Sequence, residues 1–398
     1  MTTQLASFDF ITSTRVHCGM KAAEKIGETC AAYGKRVLVV ADRSIPAAEA
    51  VAKAQLNAVG LPFRIVYLES PEPTVTYIDQ LSVELRKDQF DCILAVGGGS
   101  AVDLAKSLAI SLSHPESIWL YANLAYRPPL PLQRATVPVI AVPTTSGTGA
   151  EMTPYAVLTN EELKQKGTIQ ERAIMPKVAL LDPELCWTMP PELTAATGLD
   201  AFAHALEATI NVSKHAPVAE WAGRESMRLI FNALPRAFAN PQDMEARQQM
   251  AWAAAVAGVA ITHRGTTTCH AIAETMGGIC HLPHGKSVAI TTLPVLKKTL
   301  RLRPEIFSSL YSVIRNHSTA DKSAEYCAQA FVDAVGQLTQ TVGMSRNASS
   351  FLPRGAADGL AEQVLEAMLG YKYRPLKQHP VEFTKEQLGE IIREVVNG

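Results

Sequence analysis

Apolar residues gather in short unbroken runs through the first half of the chain and in helical spacing through the second. The runs are 38–42 (LVVAD), 65–69 (IVYLE), 92–100 (CILAVGGGS), 139–147 (VIAVPTTSG) and 178–182 (VALLD). Runs that do not alternate suit strands buried on both faces. Stretches of helical length, such as IPAAEAVAKAQLNAVG, lie between the first three of them. This alternation predicts a parallel sheet flanked by helices, with right-handed connections. From about Pro190 β-branched runs become rare and Ala-rich stretches dominate. The last, TKEQLGEIIREVV, carries a capping box at Thr384 and Gln387 and a stripe of Leu388, Ile391, Ile392, Val395 and Val396. Segment 251–262 (AWAAAVAGVAIT) is too short to span a bilayer and reads as a buried helix. Three prolines in DPELCWTMPPEL mark a boundary, dividing the chain into an α/β domain at 1–187 and an all-helical domain at 188–398.

A length of 398 residues fits two domains. A formal net charge of −1 with 19% charged residues gives no electrostatic reason for a nucleic-acid or membrane partner. The expected ligand is a small molecule. The start, MTTQLASFDFITSTR, has neither the basic nor the hydrophobic region of a secretory signal. Seven cysteines, odd in number and without a CxxC, point to reduced thiols and a cytoplasmic setting.

Four residues suggest metal chemistry. Asp200 and His204 stand four apart in GLDAFAHALEA, within a stretch, 195–210, whose only weak helical position is Gly198. Residues so spaced share a helix face and can reach one ion. His270 opens a second such stretch, HAIAETMGG, which Gly277 and Gly278 are expected to break. Pro283, His284 and Gly285 then turn the chain where a fourth ligand would sit. One carboxylate and three imidazoles suit Fe(II) or Zn(II) rather than Ca or Mg, and leave a position for a substrate oxygen. A single histidine more often has no ligand role, but four matched positions, one Asp and three His, together with PHG are hard to reach by accident. His215 reads as a loop residue, and His281 either lines the site or is a solvated turn residue. Cys269 and Cys280 read as packing residues.

Two loops suggest a nucleotide. Gly97, Gly98, Gly99 and Ser100 end a strand and open a helix, where backbone amides can approach a phosphate. A plain tight turn would look the same. A second loop after a strand, PTTSGTGAE, offers the hydroxyls of Thr144, Thr145, Ser146 and Thr148, and two such loops place a ligand at the sheet's C-terminal edge. Asp42, closing the first strong strand, either accepts from a ribose 2′-hydroxyl, which favours NAD over NADP, or caps the next helix. Asp103 has the same two readings.

GGGSAVDLAK, PTTSGTGAE, DPEL, TGLDAFAHALEA and GGICHLPHG, in this order and spacing, resemble the iron-containing (group III) alcohol dehydrogenase family over nearly the whole chain. The resemblance implies a Rossmann-like dinucleotide-binding domain, an all-α metal-binding domain, and a cleft holding NAD(P) and a divalent metal. It assigns Asp200, His204, His270 and His284 as metal ligands, Gly97 to Ser100 and Asp103 as the pyrophosphate loop, and Thr144, Thr145 and Thr148 as phosphate and nicotinamide contacts. Asp42 takes the ribose position and Lys166 that of a lysine near the cofactor. The implied reaction is reversible hydride transfer between a small alcohol and nicotinamide, with the metal as Lewis acid and Fe(II) or Zn(II) as its identity. Relatives are commonly homodimers or larger.

The chain departs from the pattern twice. Relatives often read HxxxH where this chain has His270 and Glu274, so Glu274 either serves as the base or only orients water or a substrate hydroxyl. THRGTT replaces a weakly polar stretch, so Arg264, with His263 beside it, either clamps an anionic aldehyde or makes a structural ion pair. The rival activities are a dehydroquinate synthase-like NAD- and metal-dependent lyase, whose basic cluster is not evident, and a non-catalytic nucleotide or metal sensor. A metal-independent reductase of the maleylacetate type is disfavoured by the complete ligand set.

Overall fold

The computed structural model describes residues 7–398 except 125, 164, 316, 317 and 372. The first six residues of the N-terminal stretch read above therefore lie outside the described residues.

The strands are β1 (Arg15–Cys18), β2 (Val37–Ala41), β3 (Phe63–Tyr67), β4 (Cys92–Gly97), β5 (Ala122–Asn123), β6 (Val139–Pro143), β7 (Tyr155–Asn160), β8 (Gln165–Gln170) and β9 (Val178–Leu181). Six form a parallel sheet in the order β1-β9-β6-β4-β2-β3. Its helices are α1 (Ile26–Ala31), α2 (Pro46–Ala58), α3 (Val75–Leu85) and α4 (Gly99–Ser111). Because strand side chains alternate, the apolar runs feed two cores. Leu38, Val40, Ile93, Ala95, Val139 and Ala141 pack with α3 and α4. Val37, Val39, Leu94, Val96, Ile140 and Val142 pack with α1 and α2. All five apolar runs are strands of this sheet.

The pattern did not disclose β1, a short edge strand, or the antiparallel sheet β5-β8-β7. β7 and β8 alternate buried with partly exposed positions, YAVLTN against QKGTIQ, and carry too few apolar residues to form a run.

The second unit is helical: α5 (Pro191–Ile210), α6 (Pro217–Ala239), α7 (Met244–Arg264), α8 (Thr268–Cys280), α9 (His284–Leu302), α10 (Leu310–Arg315), α11 (Ala324–Thr341), α12 (Leu360–Tyr371), α13 (Tyr373–Gln378) and α14 (Lys385–Asn397). One core joins Phe202, Leu206, Ile230, Leu234 and Met250, and another joins Ile272 and Met276 to the stripe on α14. Each fully buried large apolar side chain stabilises the fold by about 1.5–3 kcal/mol. The capping box of Thr384 and Gln387 is present. Among the described residues no helix is long and apolar enough to cross a membrane.

Two expectations are corrected here. α8 does not break at Gly277 and Gly278 but runs on to Cys280. A helical glycine costs only about 1 kcal/mol relative to alanine, which the buried Ile272 and Met276 offset. The α/β unit spans Thr12–Thr188, so residues 7–11 group with the helical unit. Phe10 stacks on His263 with ring centroids 5.1 Å apart, and the Ile11 N–H donates to His263 Nε2 at 3.0 Å.

Candidate active site

The four expected ligands come from three helices of the helical unit. Asp200 and His204 lie one turn apart on α5, His270 lies in the first turn of α8, and His284 is the first residue of α9. Small residues let these helices approach. Ala203, Ala273 and Val288 form a buried apolar cluster between them. A Cβ on Gly285 would lie 3.1 Å from the backbone of Ala196, one turn before Asp200, so only glycine lets α9 start there undisturbed.

One ligand atom from each of Asp200, His204, His270 and His284 lies within 4.8 Å of the others. Asp200 Oδ1 is 3.4 Å from His270 Nε2 and 3.5 Å from His284 Nε2, and Asp200 Oδ2 is 3.9 Å from His204 Nδ1. Asp200 Oδ1, His204 Nδ1 and His270 Nε2 are buried without a hydrogen-bond partner among the described residues. Each such orphan costs about 1–3 kcal/mol. Three orphans facing one point fit a divalent cation, which would satisfy them together, and the donor set of one carboxylate and three imidazoles suits Fe(II) or Zn(II). His284 keeps 32% of its side chain exposed while the other three are buried, so the cluster is open to solvent on its side.

The local electrostatics follow from burial. Burial would raise the Asp200 carboxyl, but the neighbouring His204 and His284 overcome this and hold it well below the usual range. Burial lowers His204 to about 4 against the pull of Asp200, keeping its imidazole neutral and able to ligate. Burial also acts to lower His270, but the charge of Glu207 and then Asp200 raise it to about 10. A cation held by His270 would compete with that proton, which would make metal binding pH-dependent.

Glu207 was not picked out in the sequence. It stands seven residues after Asp200 on α5, wholly buried, and accepts a hydrogen bond from His270 Nδ1. Its signal was the helical spacing itself, since positions 200, 204 and 207 share one face.

The expected cofactor residues lie in the α/β unit. The chain passes from β2 outward to β3 and then crosses back to place β4 on the other side of β2. Such a switch point opens a crevice beyond the carboxyl ends of the two strands. Asp42 follows β2, and a Cβ on Gly97 would meet Asp42 Cβ at 3.4 Å. Gly98 and Gly99 lie against the second loop: a Cβ would come within 3.3 Å of Thr145 Oγ1 and 2.7 Å of Thr148 Cγ2, respectively. The two loops are thus packed together at adjacent strand ends, with Gly99 opening α4.

Other expected residues have defined structural partners. Asp42 Oδ1 accepts from the Ser44 N–H at 2.8 Å and hydroxyl at 2.7 Å, and α2 has Ile45 as its N-cap, so Asp42 is not that cap. Ser100 Oγ donates to Pro71 O at 2.6 Å, and Asp103 accepts from the Val157 N–H at 3.1 Å. Thr148 Oγ1 accepts from the Ala150 N–H at 3.2 Å, Ser146 Oγ lies 3.9 Å from Cys186 Sγ, and Thr144 Oγ1 is buried without a hydrogen-bond partner among the described residues. Lys166, on β8, pairs with Glu72. Lys106 on α4, which the sequence reading passed over, is wholly buried. It donates to Ala150 O, Thr153 O and Tyr155 O at 2.6, 2.9 and 2.7 Å, fixing the chain that leaves the second loop.

Arg264 and His263 have backbone partners. Arg264 donates to Ala208 O at 3.3 Å and Thr209 O at 2.9 Å, closing the C-terminal end of α5 where helix carbonyls lack partners. His263 is bound at Nδ1 to Val259 O at 2.8 Å and at Nε2 to the Ile11 N–H. Both side chains hold backbone groups, while Arg264 Nε is buried without a hydrogen-bond partner among the described residues. His281 is the exposed, left-handed C-cap of α8, and Cys269 is a buried thiol pushed well up by burial and lies outside the ligand cluster. Glu274 lies one turn beyond His270 on α8 and is partly buried.

Comparison with known proteins agrees with this arrangement. Residues 13–183 match the model of iron-containing alcohol dehydrogenase, and residues 194–396 match that of the Fe-containing alcohol dehydrogenase family, C-terminal. The 1,3-propanediol dehydrogenase of Klebsiella pneumoniae is 32% identical, covering 85% of this chain and 87% of its own. The NAD-dependent methanol dehydrogenase of Bacillus methanolicus is 30% identical over 94% of this chain and 96% of its own. A solved archaeal halo-thermophilic alcohol dehydrogenase from a Red Sea brine pool superposes with a TM-score of 0.90 at 28% identity, covering 99% of this chain and 100% of that one. With both units matched and the ligand cluster assembled, this chain belongs to the iron-containing alcohol dehydrogenase family, oxidoreductases that act on alcohols.

Proposed function

We propose that the chain interconverts a small uncharged alcohol and its aldehyde, using NAD(H) in preference to NADP(H) and Fe(II) held by Asp200, His204, His270 and His284. The observation that carries this reading is the convergence of four ligand atoms within 4.8 Å, three of them buried without another partner. The relatives named for 1,3-propanediol and methanol support a small neutral substrate, as does the commitment of Arg264 to the end of α5. Asp42 beside Gly97 supports NAD, since a carboxylate there accepts from a ribose hydroxyl and repels a 2′-phosphate.

A bound divalent ion supplies Lewis acidity, which acidifies an alcohol and polarises a carbonyl. The protein supplies the rest. Asp200 brings the charge that holds a cation among three neutral imidazoles, and His284 borders the open side where the substrate enters. The glycine loop presents backbone amides at the start of α4, and Thr145 and Thr148 line it. Glu274, one turn from His270, takes the proton released on alcohol oxidation and passes it to water. Lys166 and Ser100 brace the segment around Pro71 and Glu72 beside the loop rather than touching the reacting atoms. We propose further that the protein is a cytoplasmic homo-oligomer, with the exposed Trp221 and Trp252 on α6 and α7 as candidates for a covered surface; light scattering tests this.

The test is anaerobic reconstitution of metal-free protein with Fe(II), and separately Zn(II), followed by NAD+ reduction with methanol, 1,3-propanediol and longer alcohols. Metal-dependent NADH formation that disappears in His270→Ala is expected. Turnover unaffected by metal removal would refute the reading. For Glu274→Gln, a fall in kcat with metal content and the KM for NAD+ unchanged is expected, and an unchanged kcat would remove Glu274 from the mechanism.

A further inference from the structure

We propose that Glu207 is the positioning residue of the metal centre: its carboxylate fixes which nitrogen of His270 faces the ligand cluster, and Thr267 and His379 hold that carboxylate in place. This rests on the reading of the cluster as a metal site. Glu207 is fully buried. Its Oε2 accepts from His270 Nδ1. Its Oε1 accepts from the Thr267 N–H at 2.9 Å, the Thr267 hydroxyl at 2.7 Å and the Cys269 N–H at 2.9 Å.

Those donors are the otherwise unpaired groups at the N-terminus of α8, where a negative charge is favoured. One carboxylate thus anchors both the start of α8 and the ring that α8 carries into the cluster. The Thr267 hydroxyl has one proton, given to Glu207, so its oxygen accepts from His379 Nδ1 at 3.1 Å. His379 Nε2 lies 3.0 Å from Thr299 Oγ1 on α9. The buried chain His270, Glu207, Thr267, His379, Thr299 therefore links α5, α8, α9 and the segment after α13.

The chemical consequence is the tautomer of His270. A carboxylate can only accept, so in the neutral imidazole that can ligate, Nδ1 keeps the proton and Nε2, 3.4 Å from Asp200 Oδ1, carries the lone pair. Carboxylates in this relation to a ligating histidine typically contribute about 10–100-fold to metal affinity. Glu207→Gln separates the two tasks. The Gln carbonyl oxygen can still accept from Thr267 and Cys269, whereas its amide faces His270 as a donor. Nδ1 must then accept, and the proton moves to Nε2, where it blocks ligation.

The experiment titrates full-length, metal-free protein with Co(II) against a chromophoric chelator and records the visible Co(II) bands. Glu207→Gln is expected to bind Co(II) about 10–100-fold more weakly, with altered bands, while far-UV circular dichroism and NADH affinity stay as in the wild type. Wild-type affinity and bands in this variant would overturn the proposal. If Glu207→Gln does not fold, Thr267→Val, which removes one donor to Oε1, must still weaken Co(II) several-fold, and an unchanged affinity would overturn it equally. A wild-type protein that binds no Co(II) would instead defeat the metal reading itself.

Discussion

Replacing Gly99 with alanine tests whether the two glycine-bearing loops form the cofactor cradle. The new Cβ would sit 2.7 Å from Thr148 Cγ2, 2.8 Å from its Oγ1 and 3.1 Å from its Cβ. Ordinary carbon contacts begin near 3.5 Å, so the loops must part by somewhat less than about 1 Å. Overpacking of this kind costs about 1–3 kcal/mol. If the parted loops are the phosphate site, NADH affinity falls by about 5–150-fold at 1.4 kcal/mol per decade. Thr148→Ala removes the two nearest atoms, at the cost of the bond to the Ala150 N–H, about 0.5–1.5 kcal/mol. The double variant should therefore bind NADH better than Gly99→Ala alone, a coupling that separate sites would not show. NADH binding followed by fluorescence in the four proteins of the cycle, with Co(II) affinity as a control, decides the matter. Wild-type NADH affinity in Gly99→Ala would refute the cradle.

Three further outcomes follow from the geometry. Arg264→Met should destabilise the protein by about 1–3 kcal/mol in urea unfolding, through the lost bonds to Ala208 O and Thr209 O, and leave the ratio of KM for anionic and neutral aldehydes unchanged; a changed ratio would restore it as a clamp. His379 is lowered by burial to about 4, so between pH 4 and 6.5 the unfolded chain binds more protons and stability falls on acidification. His379→Gln should flatten that stretch by on the order of 3 kcal/mol, and parallel curves of unfolding free energy against pH would refute the assignment. Lys106→Met should lower stability by about 1–3 kcal/mol and weaken NADH binding, because three carbonyls lose their donor; intact NADH affinity would show that the second loop does not need this anchor.

The sequence disclosed those parts of the molecule in which one short segment carries its own signal. Val37–Ala41 and Cys92–Gly97 are buried on both faces and so read as continuous apolar runs. The pair Asp200 and His204 was legible because four residues span one helical turn, and PHG because proline and glycine beside a histidine mark a change of chain direction. Features that depend on residues far apart in the chain were not legible. Glu207 acts on His270 across 63 positions, and Lys106 reaches Ala150 across 44. Arg264 read as either an anion clamp or a structural arginine, because nothing near it in the sequence shows that the end of α5, more than 50 positions earlier, offers it two carbonyls. The break expected at Gly277 and Gly278 failed for a related reason, as tertiary packing around Met276 outweighs a weak local preference.

The central claim is that Asp200, His204, His270 and His284 hold one divalent metal on which alcohol oxidation depends. The most direct measurement is the metal content of anaerobically purified protein reloaded with Fe(II), compared between the wild type and Asp200→Asn. The account predicts about one iron per chain in the wild type, with little left in the variant, because the sole carboxylate of the set is gone. Equal iron in both proteins would contradict it.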